Sequence, residues 1–450
     1  EAEDLEDTEN KAILTTIANA SGNYPQVTWP EGDLELRNLW IVSGERLPGD
    51  NHGWGQIRII GDKVRVNVTD CRIEKDRGGF IQVRGDSTKI YITNCELRNG
   101  GNRRLLQGNG RAFDARDAII DTLVMRQTVV YNLADRFFRS QGGKGPHNYI
   151  EIDNCTAFNV AGRHGFIQLG QVYTAKITDN LFINPIMLGT SPIYTDEQTQ
   201  PDNGQHKVIT MDTLFDSEGA RTQLTISNNN IFWDQSVTDY WATNDTVSAP
   251  PVLSDLVMQN LGDAASDAFF SDPLTLENVP VSILQYVQDL YADPTSTDMF
   301  DFIVEDSVLL GSDFDFGNLF NFANFSPCYD PGSTSATASL TGGPVGATFL
   351  CANLATSVFT PDVNNTLALT VFPNPVTQRT NFQFELKKAG QVQLNIRDMS
   401  GRVIATPIRE RLTEGQHVQS WQIPSTLPRG LYMVTLATEE GIMTQKLMVQ

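Results

Sequence analysis

Between residues 30 and 235, short apolar stretches alternate with single polar positions, and one six-residue pattern keeps returning: apolar, any, polar, Cys/Asn/Gln, any, apolar. Its copies include Val68-Thr69-Asp70-Cys71-Arg72-Ile73, Ile92-Thr93-Asn94-Cys95-Glu96-Leu97 and Val124-Met125-Arg126-Gln127-Thr128-Val129. Three more are Ile152-Asp153-Asn154-Cys155-Thr156-Ala157, Ile177-Thr178-Asp179-Asn180-Leu181-Phe182 and Ile226-Ser227-Asn228-Asn229-Asn230-Ile231. Leu36-Arg37-Asn38-Leu39-Trp40-Ile41 reads as a degenerate first copy. The fourth position of each copy recurs at intervals of 24, 32, 28, 25 and 49, the last fitting two turns or one long insertion. Repeats at this period mean stacked units. Each unit reads as short β-branched strands between Asn/Asp/Gly turns, with no helical period. Three strands and three turns fill one unit, which predicts an all-β fold, a right-handed parallel β-helix. Coils ~4.8 Å apart would turn equivalent positions into columns along the axis. Asn tolerates the left-handed backbone that a sharp corner needs, which explains its recurrence.

A second element follows three of the copies, with its first phenylalanine nine to eleven residues after the fourth position. It reads Gly79-Phe80-Ile81-Gln82-Val83-Arg84, Arg136-Phe137-Phe138-Arg139-Ser140-Gln141 and Gly165-Phe166-Ile167-Gln168-Leu169-Gly170, with a looser version at Arg111-Ala112-Phe113-Asp114-Ala115-Arg116. If Ile81, Phe113, Phe138 and Ile167 point inward, strand alternation turns Gln82, Asp114, Arg139 and Gln168 outward in one vertical row. Arg84, Arg116 and Gln141 make a parallel row two residues on.

The repeat breaks over 236–300, where Ser254 to Leu261 and Val281 to Leu290 read as short helices in an excursion from the solenoid. The stretch 302–310 reads as a return to the coils, and 321–346 as their closing segment. The expected organisation is an acidic cap or free segment over 1–29, a β-helix over 30–355, a linker over 356–366 and a separate domain over 367–450.

Charge narrows the partners. The chain carries 33 Lys+Arg against 54 Asp+Glu, a net of −21. From Asn365 onward there are nine Lys/Arg and six Asp/Glu, or +3, so the body holds −24. Such a body repels phosphate, which argues against nucleic acid and anionic membranes as partners. No apolar run is long enough for a transmembrane helix. The five cysteines contain no Cys-x-x-Cys, so no zinc or redox motif is assigned. Cys328 and Cys351 flank a Gly/Ser/Thr-rich stretch and are a candidate disulfide. Cys71, Cys95 and Cys155 share the ladder column; an inward stack of thiols or a Cys71–Cys95 bond would both fit it.

The last stretch alternates too. A Phe372-Pro373-Asn374-Pro375 turn precedes Asn381-Phe382-Gln383-Phe384-Glu385-Leu386, Val392-Gln393-Leu394-Asn395-Ile396 and a Met399-Ser400-Gly401-Arg402-Val403 turn. Gly430-Leu431-Tyr432-Met433-Val434-Thr435-Leu436 and Gln445-Lys446-Leu447-Met448-Val449 close it. This order resembles the type A sorting domain of type IX secretion substrates in Bacteroidetes-like bacteria. The resemblance implies a small Ig-like β-sandwich, a secreted or cell-surface location, and the outer-membrane translocon and cargo-handling proteins as partners. Export also requires a leader, so Glu1 reads as a processed or trimmed start.

The Asn-rich coils resemble the pectate-lyase-like β-helix superfamily, which also includes hydrolases, tailspikes and adhesins. A lyase of that kind must neutralise a uronate carboxylate and remove the neighbouring proton with a base. The basic residues concentrate over 135–164. The candidate catalytic groups are Arg139, Lys144 and His164. The candidate substrate contacts are Gln82, Arg84, Asp114, Arg116, Arg136, Arg163 and Gln168. The bland alternative is a surface ion pair between Asp114 and Arg139. Ca²⁺ is the one cofactor such chemistry would admit, yet no Asp-x-Asp with a matching carboxylate one coil away stands out, and no metal ligand is assigned. Neither Asn-x-Asp in the coils nor Gly-x-Ser-x-Gly occurs, which counts against pectin-type hydrolysis and serine catalysis. Two readings stay open: an exported β-helix that binds, and by β-elimination cleaves, an anionic polysaccharide, or a non-catalytic adhesin, filament or matrix protein that self-associates.

Overall fold

The structure is a computed structural model that describes residues 12–15, 31–42, 56–101, 110–140, 144–190, 207–293, 326–354 and 369–450, apart from short internal gaps, among them 77, 163 and 398–402. It divides into two compact units, Glu1–Ala355 and Thr356–Gln450.

The first unit is a parallel β-helix of three sheets. Sheet C stacks Leu34–Arg37, Arg65–Thr69, Thr88–Thr93, Ile120–Arg126, His147–Asp153, Val172–Thr178 and Gln223–Ser227. Among the described residues sheet A has nine strands, including Arg72–Asp76, Glu96–Gly100, Val129–Leu133, Thr156–Val160 and Leu181–Ile183, and sheet B has six, including Gly79–Val83, Arg111–Asp114, Arg136–Arg139 and Ile167–Leu169. The chain passes from C to A to B and then starts the next coil.

The corner between sheets C and A explains the repeat. Asn38, Asp70, Asn94, Gln127, Asn154, Asp179 and Asn228 all sit there with φ between 47° and 57°. Only Gly, Asn, Asp and a few others tolerate that region cheaply. The residue after each corner turns inward. Cys71, Cys95 and Cys155 are free, buried thiols in this column. Each donates to the carbonyl two residues earlier: Cys71 to Thr69 at 3.2 Å, Cys95 to Thr93 at 3.3 Å and Cys155 to Asp153 at 3.4 Å. The third copy shifts by one from the sequence reading. Met125 pairs with Ile92 and Arg126 with Thr93, so Gln127 takes the corner and Thr128 the inward column. Thr128 makes the same bond, Oγ1 to the Arg126 carbonyl at 3.0 Å. Asn180 and Asn229 extend the column by an amide bond at 2.8 Å, so the 49-residue interval is one coil with an insertion.

A second ladder lies five residues beyond the corner. Asn132 Nδ2 donates to Asn99, Asn159 to Asn132 and Asn184 to Asn159, at 3.3, 3.4 and 2.9 Å. Asn184 also donates to Asp234 at 2.7 Å. Inside, equivalent apolar residues stack. Phe113 lies face to face with Phe138, centroids 5.1 Å apart, within one core that holds Ile81, Ile92, Leu97 and Ile167.

Sheet C alternates buried and open positions, as a sheet with one solvated face should. Sheet A does not, because its outer face is also covered. Tyr131, Phe158, Ile183 and Phe232 pack beneath Tyr329, Ala347 and the Cys328–Cys351 disulfide. The covering segment descends the coils: Gly346 N donates to the Asp179 carbonyl at 2.7 Å, Ala347 N to Thr156 Oγ1 at 2.9 Å and Thr348 N to Gln127 Oε1 at 2.7 Å.

Among the described residues the excursion holds three α-helices: α1 (Gln235–Ala242), α2 (Asp255–Leu261) and α3 (Leu284–Ala292). Ser254 caps α2 by accepting from Val257 N. The sequence patterning anticipates α2 and α3 but not α1. Val237 and Trp241 of α1 and Tyr286, Val287 and Leu290 of α3 share a core with Met187 and Leu188. The predicted return over 302–310 and the first part of the closing stretch lie outside the described residues.

The second unit is a sandwich of two antiparallel sheets. Sheet D orders Leu369–Phe372, Arg379–Leu386 and Gly415–Gln422; sheet E orders Val403–Leu412, Gly390–Arg397, Gly430–Thr438 and Gly441–Val449. Phe382, Phe384, Leu394, Ile396, Val434 and Leu447 fill the space between them. Asn374 of the Phe-Pro-Asn-Pro turn acts as a strand edge: its amide donates to the Lys446 carbonyl at 2.6 Å and accepts from Met448 N at 2.9 Å.

One corner carries a measurable consequence. Asp179 accepts from Leu340 N at 2.8 Å. Burial, together with the nearby Asp153, raises its carboxyl to about 6. Between the unfolded value near 4 and this folded value, the native state binds the extra proton, so its stability falls as pH rises through that window and stays lower above it. Asn occupies the same column at Asn94, Asn154 and Asn228 and keeps the acceptor without the charge. Asp179→Asn should therefore raise stability by roughly 1–3 kcal/mol at pH 7–8, with the gain vanishing near pH 4. Urea melts of both proteins across that range check it.

Candidate functional site on the outer face of sheet B

Backbone register sets the outward row. Gln82 pairs with Asp114, Asp114 with Arg139 and Arg139 with Gln168; Arg58 and Thr210 extend the row at its ends. Alternation within each strand then places Ile81, Phe113, Phe138 and Ile167 in the core.

The row is linked by ion pairs. Arg139 grips Asp114 with both arms, Nε to Oδ1 at 2.8 Å and Nη2 to Oδ2 at 2.6 Å. Arg111, at the start of the neighbouring strand, bridges two carboxylates: Nη1 to Asp114 at 3.2 Å and Nε to Asp135 at 2.7 Å. Asp135 also accepts from Arg136 Nε at 3.1 Å and meets His164 Nδ1 at 2.8 Å. Asp135 is fully buried, and Asp114, Arg136, Arg111 and Arg139 are no more than 8% exposed. The surface pair expected from the sequence is thus a buried network. Reading outward alternation as exposure fails here: the row points away from the coil interior and is nevertheless buried.

Electrostatics follow from that burial. Burial alone would raise both carboxyls, but Arg139 and Arg111 hold Asp114 well below the carboxylate range, and Arg136, His164 and Arg111 do the same for Asp135. Burial lowers Arg136 to about 9, helped by repulsion from Arg139 and Arg111 against the pull of Asp135. A guanidinium committed to a carboxylate is a poor proton acceptor while that bond stands.

The other candidates lie apart from this network. Lys144 Nζ reaches back to Asp86 at 3.2 Å, at the corner between sheets B and C, and is more than half exposed. Arg84 and Arg116 both pair with Asp117. Arg163 and Gln141 lie outside the described residues. His147, in the same basic stretch, is structural: Nδ1 accepts from Ile120 N at 3.0 Å, so Nε2 carries the proton to the Ser140 carbonyl at 2.9 Å. Gln82 stands out differently. It is 1% exposed, and among the described residues neither end of its amide has a hydrogen-bond partner.

Sequence reasoning overlooked Arg111 and Asp135 as partners, since both stand at strand ends rather than in the row. It also missed a second network on sheet A, where Arg98 meets Glu74, donates to Glu96 at 3.2 Å and to the Tyr131 hydroxyl at 3.0 Å. Tyr131 donates in turn to Glu96 at 2.6 Å. The matching offsets of Glu74 and Arg98, two or three residues into successive sheet-A strands, were the available signal.

Calcium fits poorly. Asp114 and Asp135 already receive guanidinium groups on both oxygens or through several donors, and among the described residues no group of three or more His, Cys, Asp or Glu is arranged to hold a metal. Among the described residues no helix is long and apolar enough to cross a membrane.

No curated protein matches the chain. Residues 370–450 match the family model described as a secretion system C-terminal sorting domain. The antiparallel sandwich that these residues form is therefore a type IX sorting tail, and it marks the chain for export to the cell surface or beyond.

Proposed function

We propose that the β-helix is a non-catalytic, surface-displayed or released solenoid, a stiff stalk or matrix element that presents its flanks outside the cell. One observation carries this reading: each charged group of the sheet-B network is spent on another. Arg139, Arg111, Arg136 and His164 are all bonded to Asp114 or Asp135, and all but the partly exposed His164 are buried. A lyase needs a cation turned to its substrate and a base that can accept a proton. The stacked ladders, a covered sheet A and a disulfide support stiffness instead. Self-association of such stalks would be the route to a matrix.

A second reading has its own support. The unpartnered amide of Gln82 and the lowered Arg136 are what an anionic polysaccharide site would use if the network opened. The test is incubation of the full chain with alginate, pectate and glycosaminoglycans, following the ultraviolet absorbance of unsaturated uronate products. The scaffold reading expects no product on any polymer. Product formation that disappears in Arg139→Ala would replace it with the lyase.

A further inference from the structure

The sorting tail has one face unlike the rest of the chain. Sheet E turns Val392, Leu394, Ile396, Val434 and Leu436 inward, so the alternate residues form its outer face. Across that face Arg397 pairs with Met433, and Met433 with Lys446. Arg409 lies opposite Gln393 and Arg411 opposite Gln391. Arg409, Arg411 and Lys446 are exposed, and Met448 beside them is 39% exposed. Glu410 falls on the other side, opposite the inward Val392. Among the described residues this outer face therefore carries four cations and no carboxylate. The outer face of sheet D differs, with Arg379 offset by Glu385 on one strand.

The sequence just before the tail is the reverse. Residues 222–368 contain eighteen Asp/Glu and not one Lys, Arg or His. The sequence thus joins an acidic block to a tail with a cationic face. An acidic surface would attract the second and repel the first. Exposed methionine among arginines is also the composition of protein interfaces rather than of a purely solvating surface.

We infer that the outer face of sheet E is the docking surface of the tail, and that its partner is an acidic protein surface of the export machinery. The inference rests on residues 370–450 directing export, and it adds which face is read and by what chemistry.

The experiment is export of the full chain from a host with type IX secretion. Deleting residues 367–450 tests the underlying reading alone. If the truncated chain still leaves the cell, that reading fails. Given a block there, R409E/R411E and R397E/K446E should each cut the exported fraction at least tenfold, while R379E/N381E/Q383E on sheet D, with the same change of charge, leaves it within twofold. Thermal melts of the purified full-length variants establish that the tail still folds. Normal export of folded sheet-E variants would overturn the inference, as would equal loss from the sheet-D variant. Salt-sensitive binding of the full chain to anionic phospholipid vesicles, abolished by R409E/R411E, would overturn the protein partner in favour of a lipid surface.

Discussion

Asp135→Ala should destabilise the β-helix by about 3–5 kcal/mol, the loss expected when one partner of a buried charge cluster is removed. Asp135 is fully buried and answers Arg111, Arg136 and His164 at once. Without it, Arg111 loses one of the two carboxylates it bridges, and Arg136 is left as a buried cation already depressed to about 9. The damage would reach neighbouring coils, because Arg111 belongs to one coil and Arg136 to the next. The conservative Asp135→Asn keeps an acceptor and should cost less. Denaturant melts at neutral pH measure both. The wild-type contribution has a defined pH window as well. Asp135 and Asp114 have folded pKa values below their unfolded ones. Their stabilisation is complete above about pH 4 and is lost as pH falls through the folded values. The Asp135→Ala deficit should therefore shrink in acid.

The period of the coils was legible because a sharp corner has few residues that will make it. Asn94, Asn154 and Asn228 announce the left-handed position, and strand alternation around them gives the sheets. Gln127 misled the register by one residue. It stands at the corner with φ of 47°, where Asn stands in other coils, and Thr128 hides the inward column by replacing a thiol with a hydroxyl. The ladder through Asn99, Asn132, Asn159 and Asn184, each five residues past a corner, has the same left-handed backbone but lies outside the six-residue pattern, so the repeat alone does not mark it. The outward row of Gln82, Asp114, Arg139 and Gln168 follows from the period of two alone. Its burial does not, since alternation says which way a side chain points and nothing about how much of it stays exposed. The same limit applies to sheet A. Tyr131 and Phe158 point away from the coil interior and are still covered, by residues about two hundred positions further on. Helix α1 escaped notice because 235–242 is short and mostly polar, with Val237 and Trp241 as its buried residues.

The closed network also gives the basic residues that gather in this acidic chain a structural use. Three guanidinium groups and an imidazole surround two carboxylates. Carboxylates and cations of successive coils match each other, much as the asparagines do. On this account the charges specify register, a use for buried ion pairs that need not add net stability over an apolar core.

The most direct test of these stacked coils and of the closed network is a double-mutant cycle on Asp114 and Arg139, twenty-five residues apart in sequence and bonded through both arms of the guanidinium. Stability is measured by denaturant melts for Asp114→Ala, Arg139→Ala and the pair. The account predicts that the double mutant costs much less than the two single losses together, a coupling of about 2–3 kcal/mol. Additive losses would mean that the two side chains do not meet, and would contradict both the register and the reading of the site.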